Sequence, residues 1–355
     1  MQDRCLPLST IRRLDLAAAD PLAAWADVVT RPEDIAAARA LAVSIMGDVR
    51  RKRSWAVAWS IATTLAYHAI YRPFGQYVDE SDAFAVLAGG VASRADMAAL
   101  QRLYTLAHAG CSAVLAWDRA HQRMVHFRSL DWPSARAIAD ATRIVQACRD
   151  DGPPVFSAAG ILGMSGVLTA VKPGFSIAIN FAPWRGPSLS LRMDPTFLVR
   201  QLMSSAVASY AEARAVIATW RPSAPLFISL CGVAKGEACL FEFGAGRHGV
   251  HVVDIGERDF LVKTNHFEDD SPFAGQNRAQ AEGQDWDSYS VLQTSMVRRN
   301  LLDDALGAAY GGGDSFDLEA TLCQSFLRPP VWNHQTAQWV MLTPQSGDIR
   351  AWVRG

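Results

Sequence analysis

Cys111 opens an apolar run, Cys111-Ser-Ala-Val-Leu-Ala-Trp-Asp118. A polar turn at Arg119 to Gln122 leads into a second run from Arg123, which exits through Arg128-Ser-Leu-Asp131-Trp-Pro133. Two runs rich in β-formers around a short polar turn predict a hairpin. This hairpin carries a thiol at the start of its first strand, and a guanidinium and a carboxylate at the exit of its second. Those are the ingredients of covalent catalysis by a cysteine. Each residue also has an ordinary reading: a buried structural cysteine, and a strand-end ion pair that stabilises little. His266, beside Asn265, offers a base for a papain-type Cys-His dyad with Cys111. The eight histidines (His68, His108, His121, His126, His248, His251, His266 and His334) show no metal-ligand spacing such as His-x-x-x-His, so no metal or cofactor is expected.

The elements that must hold the hairpin follow from periodicity and punctuation. Ala-rich periodic runs predict helices at 34–45, 54–71 and 82–87. Ser93-Arg-Ala-Asp96 starts a capped helix that runs to about residue 107 and delivers the chain to Cys111. From there the texture becomes β, with strands at 111–117, 124–127 and 160–171, a Lys172-Pro-Gly174 turn, and a strand at 175–180. Asp194-Pro195 begins a helix with proline at its first position, and 209–220 is a second helical run. Further strands are expected at 226–233, 238–243, 249–254 and 260–264, followed by a helix at 291–309. Gly311-Gly-Gly313 reads as an interhelix turn rather than a phosphate loop. A helix at 318–326 and strands at 336–343 and 349–353 close the chain. With strands mainly in hairpins rather than βαβ units, the pattern predicts an α+β fold.

Composition removes several classes of function. The 355 residues are 50% hydrophobic and 19% charged, with a formal net charge of -1, so no basic field exists to attract nucleic acid. Six scattered cysteines (Cys5, Cys111, Cys148, Cys231, Cys239, Cys323) form no Cys-x-x-Cys pair and no disulfide framework. The first residues carry no secretory h-region, and no asparagine begins an Asn-x-Ser/Thr sequon, which leads us to expect a cytoplasmic protein. Arg50-Arg-Lys-Arg53 precedes the apolar run 54–71. That segment is expected as a core helix, with peripheral membrane contact through 50–71 as the alternative.

The segment from Cys111 to Pro133 resembles the start of the mature chain in acid ceramidase and N-acylethanolamine acid amidase, where Cys-Thr-Ser-Ile-Val leads to Gly-Arg-Asn-x-Asp-Tyr-Pro. These are N-terminal-nucleophile hydrolases of the choloylglycine hydrolase group. The likeness runs from about Gly89 to the C-terminus through Gly-Val-Leu-Thr-Ala-Val-Lys-Pro-Gly174, Phe-Leu-Val-Arg-Gln-Leu-Met203, Lys263-Thr-Asn-His266, Thr-Ser-Met-Val-Arg-Arg299 and Asn333-His-Gln-Thr336. It implies a four-layer αββα sandwich and self-cleavage between Gly110 and Cys111. Residues 1–110 would then be an N-terminal helical segment, released or retained in association, and 111–355 the catalytic domain. Cys111 would attack with its own α-amine as base, an amine whose ordinary pKa of about 7.7–8.0 suits the task. Asp131 would hold that amine, Arg128 would favour the thiolate, and Asn180 and Asn265 would be oxyanion donors. Arg298 or Arg299 would be the substrate-side arginine. The implied reaction is hydrolysis of a linear N-acyl amide without external cofactor; acyl transfer to an amine is the alternative, and from another class a non-catalytic lipid-binding or interaction protein. The chain departs from the pattern at Ser112, Phe127 and Ser129, so the relatives' substrates do not follow automatically.

Overall fold

The computed structural model describes residues 5–52, 76–87, 110–184, 192–245, 249–277, 286–313 and 316–355, with isolated positions between 62 and 101. Most of the predicted helices at 54–71 and 93–107, and with them the candidate membrane-contact segment, lie outside the described residues. Among the described residues no helix is long and apolar enough to cross a membrane.

Two sheets form the frame. The first has the order β1 (Cys5–Pro7), β14 (Asp348–Arg354), β13 (Thr336–Thr343), β4 (Arg123–Asp131), β3 (Gly110–Asp118) and β12 (Phe260–Lys263). The second has the order β11 (Val250–Asp254), β10 (Ala238–Phe243), β9 (Leu226–Cys231), β8 (Phe175–Phe181), β7 (Thr169–Lys172), β6 (Pro154–Ile161), β5 (Thr142–Cys148) and β2 (Ile11–Asp15). All neighbours are antiparallel except β2 and β5. The described helices are α1 (Pro21–Ala24), α2 (Ala26–Val29), α3 (Pro32–Lys52), α4 (Gln76–Leu87), α5 (Ala135–Ala141), α6 (Pro195–Ser204), α7 (Tyr210–Ala218), α8 (Trp286–Gly311) and α9 (Leu318–Phe326).

Side-chain alternation assigns the layers. Val114, Ala116 and Phe127 leave the first sheet on one side and pack on Leu302 and Leu306 of α8 and Leu322 and Phe326 of α9. On the other side, Leu115 and Met124 meet Cys231 and Leu240 of the second sheet, while Val340 and Leu342 meet Ala159 and Val171. The far face of the second sheet, including Ile177, Ile228 and Phe241, is covered by Val199 and Leu202 of α6 and Ala213 and Ile217 of α7. The result is helix, sheet, sheet, helix. Each fully buried Leu or Phe in these layers contributes about 1.5–3 kcal/mol relative to exposure.

Local chemistry fixes the joints. Asp194 caps α6 by accepting from Thr196 N, with Pro195 at the first turn. Ser209 and Glu212 form a reciprocal capping box on α7. Gly174 turns the chain between β7 and β8 at φ 105°, where a Cβ would lie 1.9 Å from Ala208 O. Only glycine fits there.

The first 110 residues are woven into both sheets, since β1 extends the first and β2 the second. Buried ion pairs reinforce this. Asp34 of α3 accepts from Arg12 and from Arg143 of β5, the latter at 2.8 Å. Glu80 of α4 takes Arg200 of α6 in a two-pronged pair and Trp25 Nε1 at 2.7 Å. Gln101 holds the turn between β6 and β7, donating to Gly163 O at 2.6 Å and accepting from Ser165 N at 2.7 Å.

Candidate active site

β3 presents Cys111 toward the second sheet, buried at 1% exposure. Arg128 lies on the neighbouring strand β4, paired with Ala113 two residues on, so both side chains point into the space between the sheets. Its Nη2 donates to Cys111 Sγ at 3.4 Å and to Ile179 O at 3.1 Å. Its Nη1 donates to Thr169 Oγ1 at 2.7 Å. The guanidinium is thus fixed by two strands of the second sheet and turned to the sulfur.

The backbone nitrogen of Cys111 has an unusual partner. β12 pairs with β3 as far as Lys263 opposite Ala113. Continuing that register by two residues brings Asn265 opposite Cys111, but there the ladder has ended. The Asn265 side chain replaces the missing backbone carbonyl, and its Oδ1 accepts from Cys111 N at 2.8 Å. The same oxygen accepts from Arg298 Nη2 at 2.9 Å. Because both partners can only donate, the oxygen of the amide must face them, and Nδ2 donates instead to Phe181 O at 2.8 Å. Asn180, at the end of β8, donates through Nδ2 to Lys263 O at 3.2 Å and Thr264 O at 3.3 Å, which fastens the Asn265 segment to the second sheet.

Arg298 of α8 completes the enclosure. Its Nη1 donates to Cys111 O at 2.6 Å and Ser112 Oγ at 2.9 Å, and lies 3.9 Å from Asp131 Oδ2. Arg299 faces elsewhere, to Glu268 at 2.7 Å and Asp303 at 3.3 Å. The structure therefore separates two adjacent arginines that the sequence leaves equivalent.

Asp131 is paired across the hairpin with Gly110. A Cβ on residue 110 would come within 3.0 Å of Asp131 Cβ and 3.1 Å of its Oδ2, so the absent side chain is what allows the carboxylate this close to the Gly110–Cys111 bond. Asn333 donates to Asp131 Oδ2 at 3.1 Å. Burial pushes the Asp131 carboxyl above its ordinary value, against the opposing pull of Arg298 and Asn333. Burial also lowers Arg298, with Asp131 resisting.

His266 is not the partner of the thiol. Its Nδ1 lies 2.8 Å from Ser295 Oγ and 3.2 Å from Thr264 Oγ1, while the hydrogen bonds of Cys111 go to Asn265, Arg128 and Arg298. Burial, then the nearby Lys263 and Arg299, depress its pKa to about 3.

The structure thus gathers Cys111, Arg128, Asp131, Asn265 and Arg298 into one cluster, with Asn180 one contact away. Sequence reasoning places Gly110 at the expected cut but attaches no role to Thr169, Ser295 or Asn333. The phrases containing Thr169, Ser295 and Asn333 are visible in the sequence, but their hydroxyls and amide gain meaning only from the pairing of distant strands.

Among protein-family models none matches the chain. It is similar to acid ceramidase of Balaenoptera acutorostrata scammoni, 29% identical over 151 residues, which cover 35% of this chain. The match spans about a third (34%) of that relative's length. Among solved structures, it is similar to the N-acylethanolamine-hydrolyzing acid amidase ortholog of Caenorhabditis elegans, with a TM-score of 0.53 and 20% identity over 68% of this chain and 99% of that one. Over its matched stretch the sequence is similar to that acid ceramidase, and the α+β sandwich that holds Cys111 has the fold of the Caenorhabditis elegans N-acylethanolamine-hydrolyzing acid amidase ortholog.

Proposed function

We propose that this protein is a cysteine amidohydrolase that cleaves the C–N bond of a linear N-acyl amide, after cutting its own chain between Gly110 and Cys111. The observation that carries the reading is the bond from Cys111 N to Asn265 Oδ1. A buried side chain aimed at a peptide nitrogen beyond the end of a ladder is what an α-amine at that place would need. Self-cleavage would turn the nitrogen into the base: it takes the thiol proton, Sγ attacks the acyl carbonyl, and the C–N bond breaks as the leaving amine receives that proton. Water then adds to the thioester and regenerates the thiol.

In this reading Asn265 Oδ1 and Asp131 hold the amine, Arg128 faces the thiolate, and Arg298 fixes the Cys111 carbonyl. Among the described residues Asp131 Oδ1 is buried without a hydrogen-bond partner, an acceptor that an ammonium group would satisfy. Asn180 and Asn265 are kept as oxyanion candidates, a role in which Nδ2 would exchange a present bond, to Lys263 O or Thr264 O for Asn180 and to Phe181 O for Asn265, for one to the developing oxyanion. The substrate class is taken from the named activity of the amidase with this fold and the ceramidase matched in sequence.

Intact-mass analysis of purified protein, together with hydrolysis of a fluorogenic fatty-acyl amide, tests the proposal. A fragment beginning at Cys111 with amide turnover is expected. Turnover by an uncut chain, or a cut chain whose Cys111→Ser variant keeps wild-type turnover, defeats it.

A further inference from the structure

One buried cluster beside the site has no part in the chemistry above. The backbone N–H of Asn265 donates to Ser295 Oγ of α8 at 2.6 Å. That hydroxyl lies 2.8 Å from His266 Nδ1 and 2.9 Å from Thr264 Oγ1, and Thr264 Oγ1 donates to Ser295 O at 3.0 Å. All four residues are buried. The charged groups that face the imidazole are Lys263 and Glu268 from the segment around Asn265, and Arg298 and Arg299 from α8. Three of these four are cations, and with burial they keep the ring neutral down to a pKa of about 3. A neutral imidazole has one donor and one acceptor nitrogen. In either tautomer Nδ1 is tied to the Ser295 hydroxyl, which has room to accept from Asn265 N as well.

We infer that His266 is a positioning residue: through Ser295 Oγ it fixes the backbone of Asn265, and thereby the oxygen that holds the Cys111 nitrogen. The need arises from the fold. β12 ends at Lys263, so the ladder with β3 stops before Asn265, and the amide that must meet Cys111 is borne by backbone beyond the end of that ladder. The three-residue cluster supplies the orientation that the sheet no longer gives. This inference rests on the reading of Cys111 N as the working amine, but its structural half stands apart from activity.

The test uses the full chain as His266→Phe, His266→Asn, Ser295→Ala and the double variant His266→Phe/Ser295→Ala. A fluorogenic fatty-acyl aminocoumarin amide reports turnover, and hydrogen exchange of the Asn265 amide in protein labelled with ¹⁵N-asparagine reports position. Losing one such hydrogen bond is expected to lower kcat about tenfold in each single variant, with KM within about twofold. Because both act through one hydroxyl, the double variant should fall no further than the worse single one. His266→Asn, whose carboxamide can reach the place of Nδ1, should recover kcat to within about threefold of wild type. Asn265 exchange should accelerate at least about tenfold in His266→Phe and Ser295→Ala. Wild-type kcat in both single variants, unchanged Asn265 exchange in Ser295→Ala, or multiplicative losses in the double variant overturns the inference. Ser295→Ala changes little volume and decides the matter should His266→Phe fail to fold. A wild-type protein without amide turnover would defeat the proposed function alone, since the exchange rates still settle the positioning role.

Discussion

The two neighbouring arginines of α8 offer the sharpest perturbation. Arg298→Met keeps the unbranched apolar stem of the side chain but removes three hydrogen bonds, to Cys111 O, Ser112 Oγ and Asn265 Oδ1. Bonds to a charged group are worth about 1.5–3 kcal/mol each. The full sum does not apply, because burial already penalises the Arg298 charge and part of its loss is regained on removal. Taking the two contacts that bear on the nucleophile, to Cys111 O and Asn265 Oδ1, at the lower bound gives about 3 kcal/mol, or a fall of roughly 10² in kcat/KM. Arg299→Met supplies the control, since Arg299 pairs with Glu268 and Asp303 near the surface and should change turnover by less than about threefold. Both variants should be assayed as processed protein sorted by intact mass, with melting temperatures measured in parallel. Equal damage from the two substitutions, or wild-type turnover in processed Arg298→Met, would show that the enclosure around Cys111 has been misread.

Three further outcomes are expected. The folded Asp131 carboxyl titrates above its ordinary 3.8, so its ionised form opposes folding: wild type should lose stability relative to Asp131→Asn as pH rises from below 3.8 through the raised value, and a growing wild-type advantage in urea titrations would contradict this. Gly110→Ala puts a methyl 3.0 Å from Asp131 Cβ and should slow self-cleavage at least about tenfold, followed as fragment appearance over time; cleavage at the wild-type rate removes the steric argument. Glu80→Ala leaves Arg200 as an uncompensated buried charge and should cost about 3–5 kcal/mol on chemical denaturation, which an unchanged midpoint would refute.

The elements easiest to read were those with both faces buried or a clear cap. The Cys111 hairpin, the Lys172-Pro-Gly174 turn, the Asp194-Pro195 start and the closing strands all stand where local chemistry puts them. β5 gives no separate signal because α5, a short Ala-rich helix, precedes it without a breaker, and 160–171 reads as one strand because its apolar content hides the turn between β6 and β7. β1 and β2 are equally silent in the sequence. They are short edge strands with exposed Leu6 and Ile11 and with Arg12 and Arg13 between apolar positions, a pattern whose strand partners lie far along the chain, Asp15 opposite Cys148 and Cys5 opposite Arg354. Local periodicity carries no signal for such pairing.

The site was legible for a different reason. Cys111, Arg128 and Asp131 lie on one hairpin, so their proximity follows from a single turn. Asn265 is intermediate: its register opposite Cys111 becomes arithmetic once β12 is known to pair with β3, but nothing local says which strand lies there. What the residue types could not convey is which atom of Asn265 meets Cys111. The sequence reading assigns its amide hydrogens to an oxyanion, whereas the two donors converging on Oδ1 turn the oxygen toward Cys111. The consequence reaches the boundary at residue 110. It is no seam between folded units, because β1 and β2 complete both sheets and Glu80 and Asp34 pair inside the core. A cut before Cys111 would leave the surrounding strands paired as before and would convert one buried peptide nitrogen, already held by a side chain, into an amine. On that argument the N-terminal 110 residues must remain after cleavage, since their loss would uncover two sheet edges and strand Arg143 and Arg200 without their carboxylates.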